Sequence, residues 1–369
     1  MNTTVTKDDR QESTSAPPLI GIAIPAYKSA ETLEATLRSC QAQTWSNWIA
    51  YVTVDGEEAR RETQIVEALG DPRIRIECNG RQLGQMANFN RAMLRCHAAG
   101  AAWIKTMCAD DILYPDALER LLKIGISSPT CGLTYGHFDI IDETGAVTFY
   151  NDLRQMPSRI VKGSDFLKMV LPAFRNPSGG PSNAMIRAEV LEGCGLLDDA
   201  LFYSGDRDYW YRIAGRYDIG YVGEKTILSY RRHSNSVSGR LSSSSARMAE
   251  DGDLGRRIAA RYAPWSREWW LAQLFTGRAV ATNAITCTAM MRSAGIRACL
   301  SGLAVSARRL SPITLPLALF NVIFMLGRYV ACGSVVAATE IDPAMLPSPD
   351  GRRPSWASGL SPNENGEDA

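Results

Sequence analysis

Four short apolar runs punctuate the first part of the chain: Leu19–Ile24 (LIGIAI), Ile49–Val54 (IAYVTV), Ile74–Cys78 (IRIEC) and Trp103–Met107 (WIKTM). Between them lie Ala30–Gln43, Ala59–Leu69 and Gln85–Ala99, each long enough for a helix, and the first carries Leu33, Leu37 and Cys40 on one face. Runs with little polar alternation fit strands covered on both faces. Their regular alternation with helices predicts a parallel sheet wrapped by helices. On such sheets ligands sit at the carboxyl ends of the strands. There the sequence places Tyr27 after the first strand, Asp55 after the second, and the neighbours Asp110 and Asp111 after the fourth.

Adjacent side chains on an extended segment point to opposite faces, so Asp110 and Asp111 can serve one ligand only where the backbone turns. Pro115, four residues on, stops the strand and opens a helix. Two readings of the pair stay open: an oxygen-rich site for a hard cation and a phosphate, or a solvated turn capping the Pro115 helix. No G-x-G-x-x-G follows the first strand and no G-x-x-x-x-G-K-[ST] is present, which argues against dinucleotide and P-loop nucleotide sites.

Beyond the Pro115 helix the pattern loosens. Cys131–Ile141 and Ala146–Asn151 read as strands around the turn Asp142–Gly145, Ser164–Leu171 as a helix, and Pro177–Pro181 (PSGGP) as a flexible loop before the apolar Ala184–Ile186. Asp206 opens a helix with Tyr209, Trp210 and Ile213 at helical spacing, followed by strands at Ile219–Val222 and Ile227–Tyr230. Met1–Ala16, the Ser242–Ser245 tract and Ala344–Ala369 have the composition of disordered segments.

Five stretches in this order resemble the family 2 glycosyltransferases: IAIPAYKSAETLEATLRSCQAQTW, YVTVDG, GQMANFNRAM, MCADDILYPDAL, and SGDRDYWYRIA paired with YRRHSNSVSG. The resemblance covers about residues 19–239. It implies an α/β GT-A fold, a Rossmann-like nucleotide-binding mixed sheet with flanking helices, and an inverting, nucleotide-sugar-dependent enzyme. Pro25, Ala26 and Tyr27 would line the base pocket, Asp55 would accept a hydrogen bond from the base, and Asn90 would shape the nucleotide-sugar pocket. Asp110 and Asp111 would hold Mn²⁺ or Mg²⁺ on the diphosphate, with Arg231 and His233 contributing to the diphosphate or the metal. Asp206 would be the general base and Trp210 would stand near the acceptor. Two positions depart from the family pattern: Cys108 stands where an extra Asp is frequent, and Gly205 where an acid is frequent before the base.

The chemistry asks for such a set. A leaving diphosphate accumulates charge that a divalent ion neutralises, and an acceptor hydroxyl needs a carboxylate to take its proton. From the residues alone Asp208 competes with Asp206 for that role, and Trp210 fits a core position as well as an acceptor platform. The expected donor is UDP-linked, and the expected acceptor a hydroxyl of a glycan or lipid-linked saccharide in bacterial polysaccharide assembly. A catalytically weak sugar-nucleotide-binding scaffold stays open beside it, supported by Cys108 and Gly205.

Charge and composition set the remaining bounds. The net charge of +1 gives no footprint for a nucleic-acid partner. Three histidines leave little material for a zinc site, and nine cysteines without C-x-x-C pairs, together with no amino-terminal signal segment, point to a reducing cytoplasm. Between Glu268 and Glu340 there is no acid, while Arg278, Arg292, Arg297, Arg308, Arg309 and Arg328 lie there with the apolar run Ser311–Gly327. At 17 residues that run is short of the roughly 20 needed to span a bilayer. It fits a helix lying peripherally on the inner membrane face, or a helical subdomain packed on the core. The expected organisation is a tail (residues 1–17), a GT-A domain (18–240, with a nucleotide-sugar half at 18–125 and an acceptor half at 126–240), a linker (241–267), a basic apolar helical region (268–340) and a second tail (341–369).

Overall fold

The computed structural model describes residues 16–150, 157–173, 176, 178–232, 245–289, 304, 308 and 310–332. The amino-terminal elements follow the expected alternation: β1 (Ile20–Ala26), α1 (Leu33–Gln41), β2 (Trp48–Val54), α2 (Arg60–Leu69), β3 (Ile74–Cys78), α3 (Gln85–Ala98) and β4 (Trp103–Thr106). β1 pairs in parallel with β2 and β4, and β2 in parallel with β3, so this edge of the sheet is the parallel one the periodicity predicts. Gly21 lets α3 lie hard against β1, because a Cβ there would come within 2.4 Å of the Cys96 Cβ. α2 stops at Gly70, whose φ of 61° supplies the left-handed turn that ends a helix.

The next elements are β5 (Ile112–Leu113), α4 (Ala117–Ile126), β6 (Cys131–Ile141), β7 (Val147–Tyr150), β8 (Arg159–Val161), α5 (Gly163–Ala173) and β9 (Ala184–Arg187). Then come α6 (Val190–Cys194), α7 (Gly205–Ala214) and β10 (Asp218–Arg231). They complete one mixed sheet in the order β3-β2-β1-β4-β9-β6-β10-β5, with β7 on β6 and β8 on β10. β9 runs antiparallel to both β4 and β6 and closes the middle of the sheet. Two apolar clusters fill its faces, one around Phe89, Trp210 and Phe275 and the other around Trp48, Trp103 and Leu118.

Two expectations need correction. The strands expected at Ile219–Val222 and Ile227–Tyr230 are one element, β10, with a break in pairing register between Val222 and Thr226. Glu224, at a φ of 71°, takes up the irregularity, so a local kink rather than a loop separates the two apolar runs. The segment expected to be a linker carries α8 (Ser245–Ala259), whose Leu254 and Ile258 are buried in the core. α9 (Arg267–Ala289) and α10 (Thr314–Cys332) follow. α9 packs on α8, where Gly255 gives room to Thr276, and reaches the sheet domain through Phe275, edge-on to Tyr211 at 6.0 Å. Through α9 the helical region is docked on the core. The tails and the Ser242–Ser244 tract lie outside the described residues.

Gly163 marks how tightly α5 meets the sheet domain. A Cβ there would stand 2.1 Å from the Ala214 carbonyl oxygen and 2.2 Å from that of Tyr217. Both obstacles are backbone, which cannot rotate aside. Gly163→Ala is expected to lower stability by about 1–3 kcal/mol, the usual cost of overpacking, read as a lower urea midpoint at unchanged m-value. An unchanged midpoint would contradict this packing.

Candidate active site

The chain between β4 and α4 crosses the carboxyl edge of the sheet with only the short β5 paired, on β10, and α1 with the residues flanking it supplies partners for its backbone. One polar stripe does this: Thr32 Oγ1 donates to the Ala109 carbonyl (2.9 Å), Thr36 Oγ1 to that of Asp111 (2.8 Å), and Gln43 Nε2 to that of Tyr114 (2.8 Å). From the same face, Ser39 Oγ accepts the Leu113 N–H (3.1 Å) and Gln43 Oε1 the Leu118 N–H (3.1 Å). This arrangement holds Cys108, Asp110 and Asp111 in a turn, with one potential ligand atom from each lying within 4.8 Å of the others.

Asp111 is wholly buried. Its Oδ1 accepts the Arg231 N–H at 2.8 Å, whereas Oδ2 makes no well-formed hydrogen bond, with the Ser182 hydroxyl nearby. Burial, and next the Asp110 charge, push its carboxyl well above the ordinary range. Burial and then the two aspartates likewise push the Cys108 thiol up. Crowded acids with a poorly bonded buried oxygen are costly unless a cation joins them. The two carboxylates therefore fit a divalent ion, and Asp110 and Asp111 are the residues that would hold it.

Beside this turn stands Lys105, fully buried on β4. Its Nζ donates to the carbonyls of Thr106 (2.9 Å), Ala184 (3.3 Å) and Ser182. Burial lowers its pKa to about 7, against the opposing pull of Asp111. The bonds fasten the segment before β9 onto β4. Thr106 Oγ1 adds a bond to the Pro181 carbonyl (2.6 Å), and Ser182 Oγ accepts the Cys108 N–H (2.7 Å).

The same segment reaches Asp206. Asn183 Nδ2 donates to the Ser178 carbonyl (2.9 Å), Ser178 Oγ to Asn176 Oδ1 (2.9 Å), and Asn176 Nδ2 to Asp206 Oδ2 (2.7 Å). A six-residue span reaches at most about 20 Å when extended, and the Asn183–Ser178 bond folds this one back. Asp206 and the Asp110–Asp111 turn are thus tied to the two ends of one short loop. Asp206 is 6% exposed, and burial raises its pKa against the opposing Arg207 charge.

A sequence model described as "Glycosyl transferase family 2" matches residues 21–195. The chain carries a family 2 glycosyltransferase domain. Among curated proteins it is 26% identical over 129 residues to WfgD of Escherichia coli, named as a UDP-Glc:alpha-D-GlcNAc-diphosphoundecaprenol beta-1,3-glucosyltransferase. That alignment covers 35% of this chain and 49% of WfgD, so the chain matches about half the length of that relative. Among solved structures, S. aureus TarS 1-349 in complex with UDP-GlcNAc superposes with a TM-score of 0.63 at 13% identity, covering 88% of this chain and 90% of that one. The mannosyltransferase PcManGT of Pyrobaculum calidifontis, in complex with GDP-Man and Mn²⁺, gives 0.51 at 15% identity over 84% and 88% of the two chains. The fold is GT-A.

Within this glycosyltransferase domain the expected residues fare unequally. Tyr27, 45% exposed beyond β1, leaves its ring open on the carboxyl edge, with Lys28 Nζ 5.2 Å from the ring centre. Pro25 is half-buried, but the Ala26 methyl lies in the core and cannot line a pocket; its carbonyl accepts the Asp55 N–H (2.7 Å). Asp55 Oδ1 accepts from Asn79 Nδ2 (3.1 Å) and the Leu83 N–H (2.6 Å), and Oδ2 from the Gly84 N–H (2.9 Å), which anchors the turn opening α3. A carboxylate has about four acceptor sites, so room for one further donor remains. Asn90 spends its amide on Leu197, giving to its carbonyl (2.8 Å) and accepting from its N–H (3.0 Å), and so holds α3 to the segment that leads into α7.

Three further expectations change. Trp210, at 2% exposure, is core and offers no acceptor platform. The Arg231 guanidinium is committed to the carbonyls of Asp110 (2.9 Å), Asp142 (2.9 Å) and Glu143 (3.1 Å), so it braces the Cys108–Asp111 turn instead of facing a diphosphate. The competition between Asp208 and Asp206 also closes. Asp208 is buried, and its two oxygens are occupied by Arg212 (2.8 Å) and Arg261. At Gly205 the place of an acid is closed by Met86, whose Sδ would lie 2.8 Å from an added Cβ. His233 lies outside the described residues. Sequence reasoning missed Lys105, Asn176 and Ser182; a lysine inside an apolar strand (WIKTM) and the Asn-Ser-Asn polar spacing through PSGGPSN were the available signals.

Lys105→Met would strand the Ser182 and Thr106 carbonyls in the interior, at about 1–3 kcal/mol for each group left without a partner. The expected result is a lower urea midpoint together with weaker nucleotide binding as the loop loosens. Unchanged stability would contradict the clamp.

Proposed function

We propose that the chain transfers a sugar from a nucleoside diphosphate donor, UDP-linked, to a hydroxyl of a glycan or lipid-linked acceptor, with inversion at the transferred carbon. The observation that carries this reading is the loop 176–183, hydrogen-bonded to Asp206 through Asn176 and to the Cys108–Asp111 turn through Ser182. It supports one cleft with a donor side and a proton-accepting side.

Tyr27 offers an exposed ring to stack on a base, and Asp55 has acceptor capacity beside it. The turn carrying Asp110 and Asp111 holds Mn²⁺ or Mg²⁺, which when bound neutralises the leaving diphosphate. Asp206 takes the acceptor proton. Its oxygens each accept one hydrogen bond, from the Arg207 N–H (2.8 Å) and from Asn176 (2.7 Å), which fixes the carboxylate and leaves a lone pair on each. Its raised pKa makes it a stronger base than a solvated aspartate, closer to the working pH. Inversion follows from attack on the sugar face opposite the diphosphate. WfgD's named substrates, UDP-Glc and a diphosphoundecaprenol-linked sugar, support the donor and acceptor classes.

We also place α10 on an anionic membrane surface at the inner face. Leu315, Leu319, Phe320 and Ile323 share one side of the helix and are exposed, Phe320 and Ile323 at 69% and 71%. The opposite side packs on α9, where Gly277 meets Leu317 and Arg278 donates to Asn321 (3.2 Å). Acid-free, arginine-bearing sequence surrounds it. Among the described residues no helix is long and apolar enough to cross a membrane, so the face would lie on the surface.

Asp206→Asn is expected to lower kcat by roughly 10²–10⁴-fold while UDP affinity, read by calorimetry, stays as in wild type. Because the base must be ionised and its pKa is raised, the wild-type rate should fall with decreasing pH from above the ordinary aspartate range. Full turnover in Asp206→Asn would overturn the assignment. For the membrane face, Phe320→Ser with Ile323→Ser should weaken binding to anionic vesicles by roughly tenfold or more, given about 1.5–3 kcal/mol for each large apolar side chain buried. Equal co-sedimentation of the variant would contradict it.

A further inference from the structure

We propose that Cys108 is itself a ligand of the active-site cation, so that the ion is gripped by one sulfur and by carboxylate oxygens of Asp110 and Asp111. The site would then prefer Co²⁺, Zn²⁺ or Cd²⁺ to Mg²⁺. This rests on the reading above that the turn holds a divalent ion.

The three potential ligand atoms lie within 4.8 Å of one another. Ligands at the usual bond lengths of about 2.0–2.3 Å around one ion stand roughly 3–4 Å apart, so small side-chain rotations close the set. The backbone at Cys108 is held in place for this by Ser182 Oγ, which accepts its N–H at 2.7 Å. Cys108 forms no disulfide, and it is half-buried where the other ligands converge. A second observation bears on a cation: Asp111 is fully buried, its Oδ1 is satisfied by Arg231, and its Oδ2 makes no well-formed hydrogen bond, with the Ser182 hydroxyl as the nearby donor that pulls on the carboxyl. A buried carboxylate oxygen without a well-formed bond is costly, and a cation is the partner that also relieves the repulsion with Asp110.

The sulfur changes which cation suits the site. Sites built from oxygen alone take hard ions such as Mg²⁺, whereas a thiolate selects borderline and soft ions. On binding, the Cys108 S–H bond breaks, its proton goes to solvent, and the sulfur lone pair forms the bond to the metal. No electron is transferred.

The test uses the full chain with UDP present, titrated with Co²⁺. Total bound cobalt is read by equilibrium dialysis, and sulfur ligation by the thiolate-to-cobalt charge-transfer absorption in the near ultraviolet. Wild type should bind cobalt with that band. Cys108→Ser should lose the band although the other eight of the nine cysteines remain. Cys108→Asp should bind cobalt without the band and shift the Mg²⁺-to-Co²⁺ affinity ratio toward Mg²⁺ by roughly tenfold or more, the scale at which even outer-shell partners act. Cobalt bound by wild type without the band, or a band that survives in Cys108→Ser, would overturn the proposal. UDP binding that needs no divalent ion and draws none in would overturn it together with the metal reading, leaving the donor reading intact. Absence of UDP binding would sink the donor reading, while the cobalt band would still decide the role of Cys108.

Discussion

Backbone that leaves a strand inside a protein must still find partners for every N–H and C=O. Here that constraint falls on the stretch from Met107 to Leu113, where β4 ends in the middle of a wide sheet and the chain must turn to present two aspartates. The solution is borrowed side chains: Thr32, Thr36, Ser39 and Gln43 from α1 and its flanks, Ser182 from the segment before β9, and the Arg231 guanidinium from the end of β10. Because three distant parts of the chain converge to satisfy one irregular turn, forming the turn assembles the site. Lys105, on β4 itself, adds a clamp across to β9 by donating to the Thr106 and Ala184 carbonyls.

The segment around Asp206 is organised by a second set of buried charges. Glu250 of α8 accepts the N–H groups of Phe202, Tyr203 and Ser204, and so anchors the residues that lead into α7. One position on, Asp251 pairs with Arg207, the neighbour of Asp206. Separating such a buried pair typically costs about 3–5 kcal/mol, so α8 fixes the start of α7 firmly. The helices beyond the glycosyltransferase domain are therefore part of what positions Asp206. A truncation before α8 would remove that support along with any membrane face.

Much of the fold was legible in the sequence because burial leaves apolar runs, continuous at β1 and alternating with Arg75 and Glu77 at the edge strand β3, and their alternation with helices predicted β1 to β4 in the right order. The aspartates at strand ends could be read for the same reason. What escaped was set by tertiary contacts that leave no local period. Lys105 sits in an apolar strand, and nothing in WIKTM shows that carbonyls of a segment some 77 residues away neutralise its cost. Trp210 and Arg231 have the residue types of a binding site, yet packing places one in the core and the other against three carbonyls. The two apolar halves of β10 looked like separate strands because a kink at Glu224 interrupts the pattern without ending the element.

The stripe on α1 is a signal of another kind. Thr32, Thr36, Ser39 and Gln43 recur at helical spacing, and a polar line that repeats like an apolar one invites the solvent-facing reading. In this protein it faces inward, toward the turn, and three of the four side chains are buried. The central claim is that this turn and Asp206 address one substrate from opposite sides. A crystal structure with UDP and Mn²⁺ tests it most directly, with the manganese located by its anomalous scattering. The account requires the manganese peak against Asp110 and Asp111, bridging to the diphosphate, with the Asp206 carboxylate across an open space the size of a hexose. A peak elsewhere, or Asp206 pointing out of the UDP cleft, would contradict it.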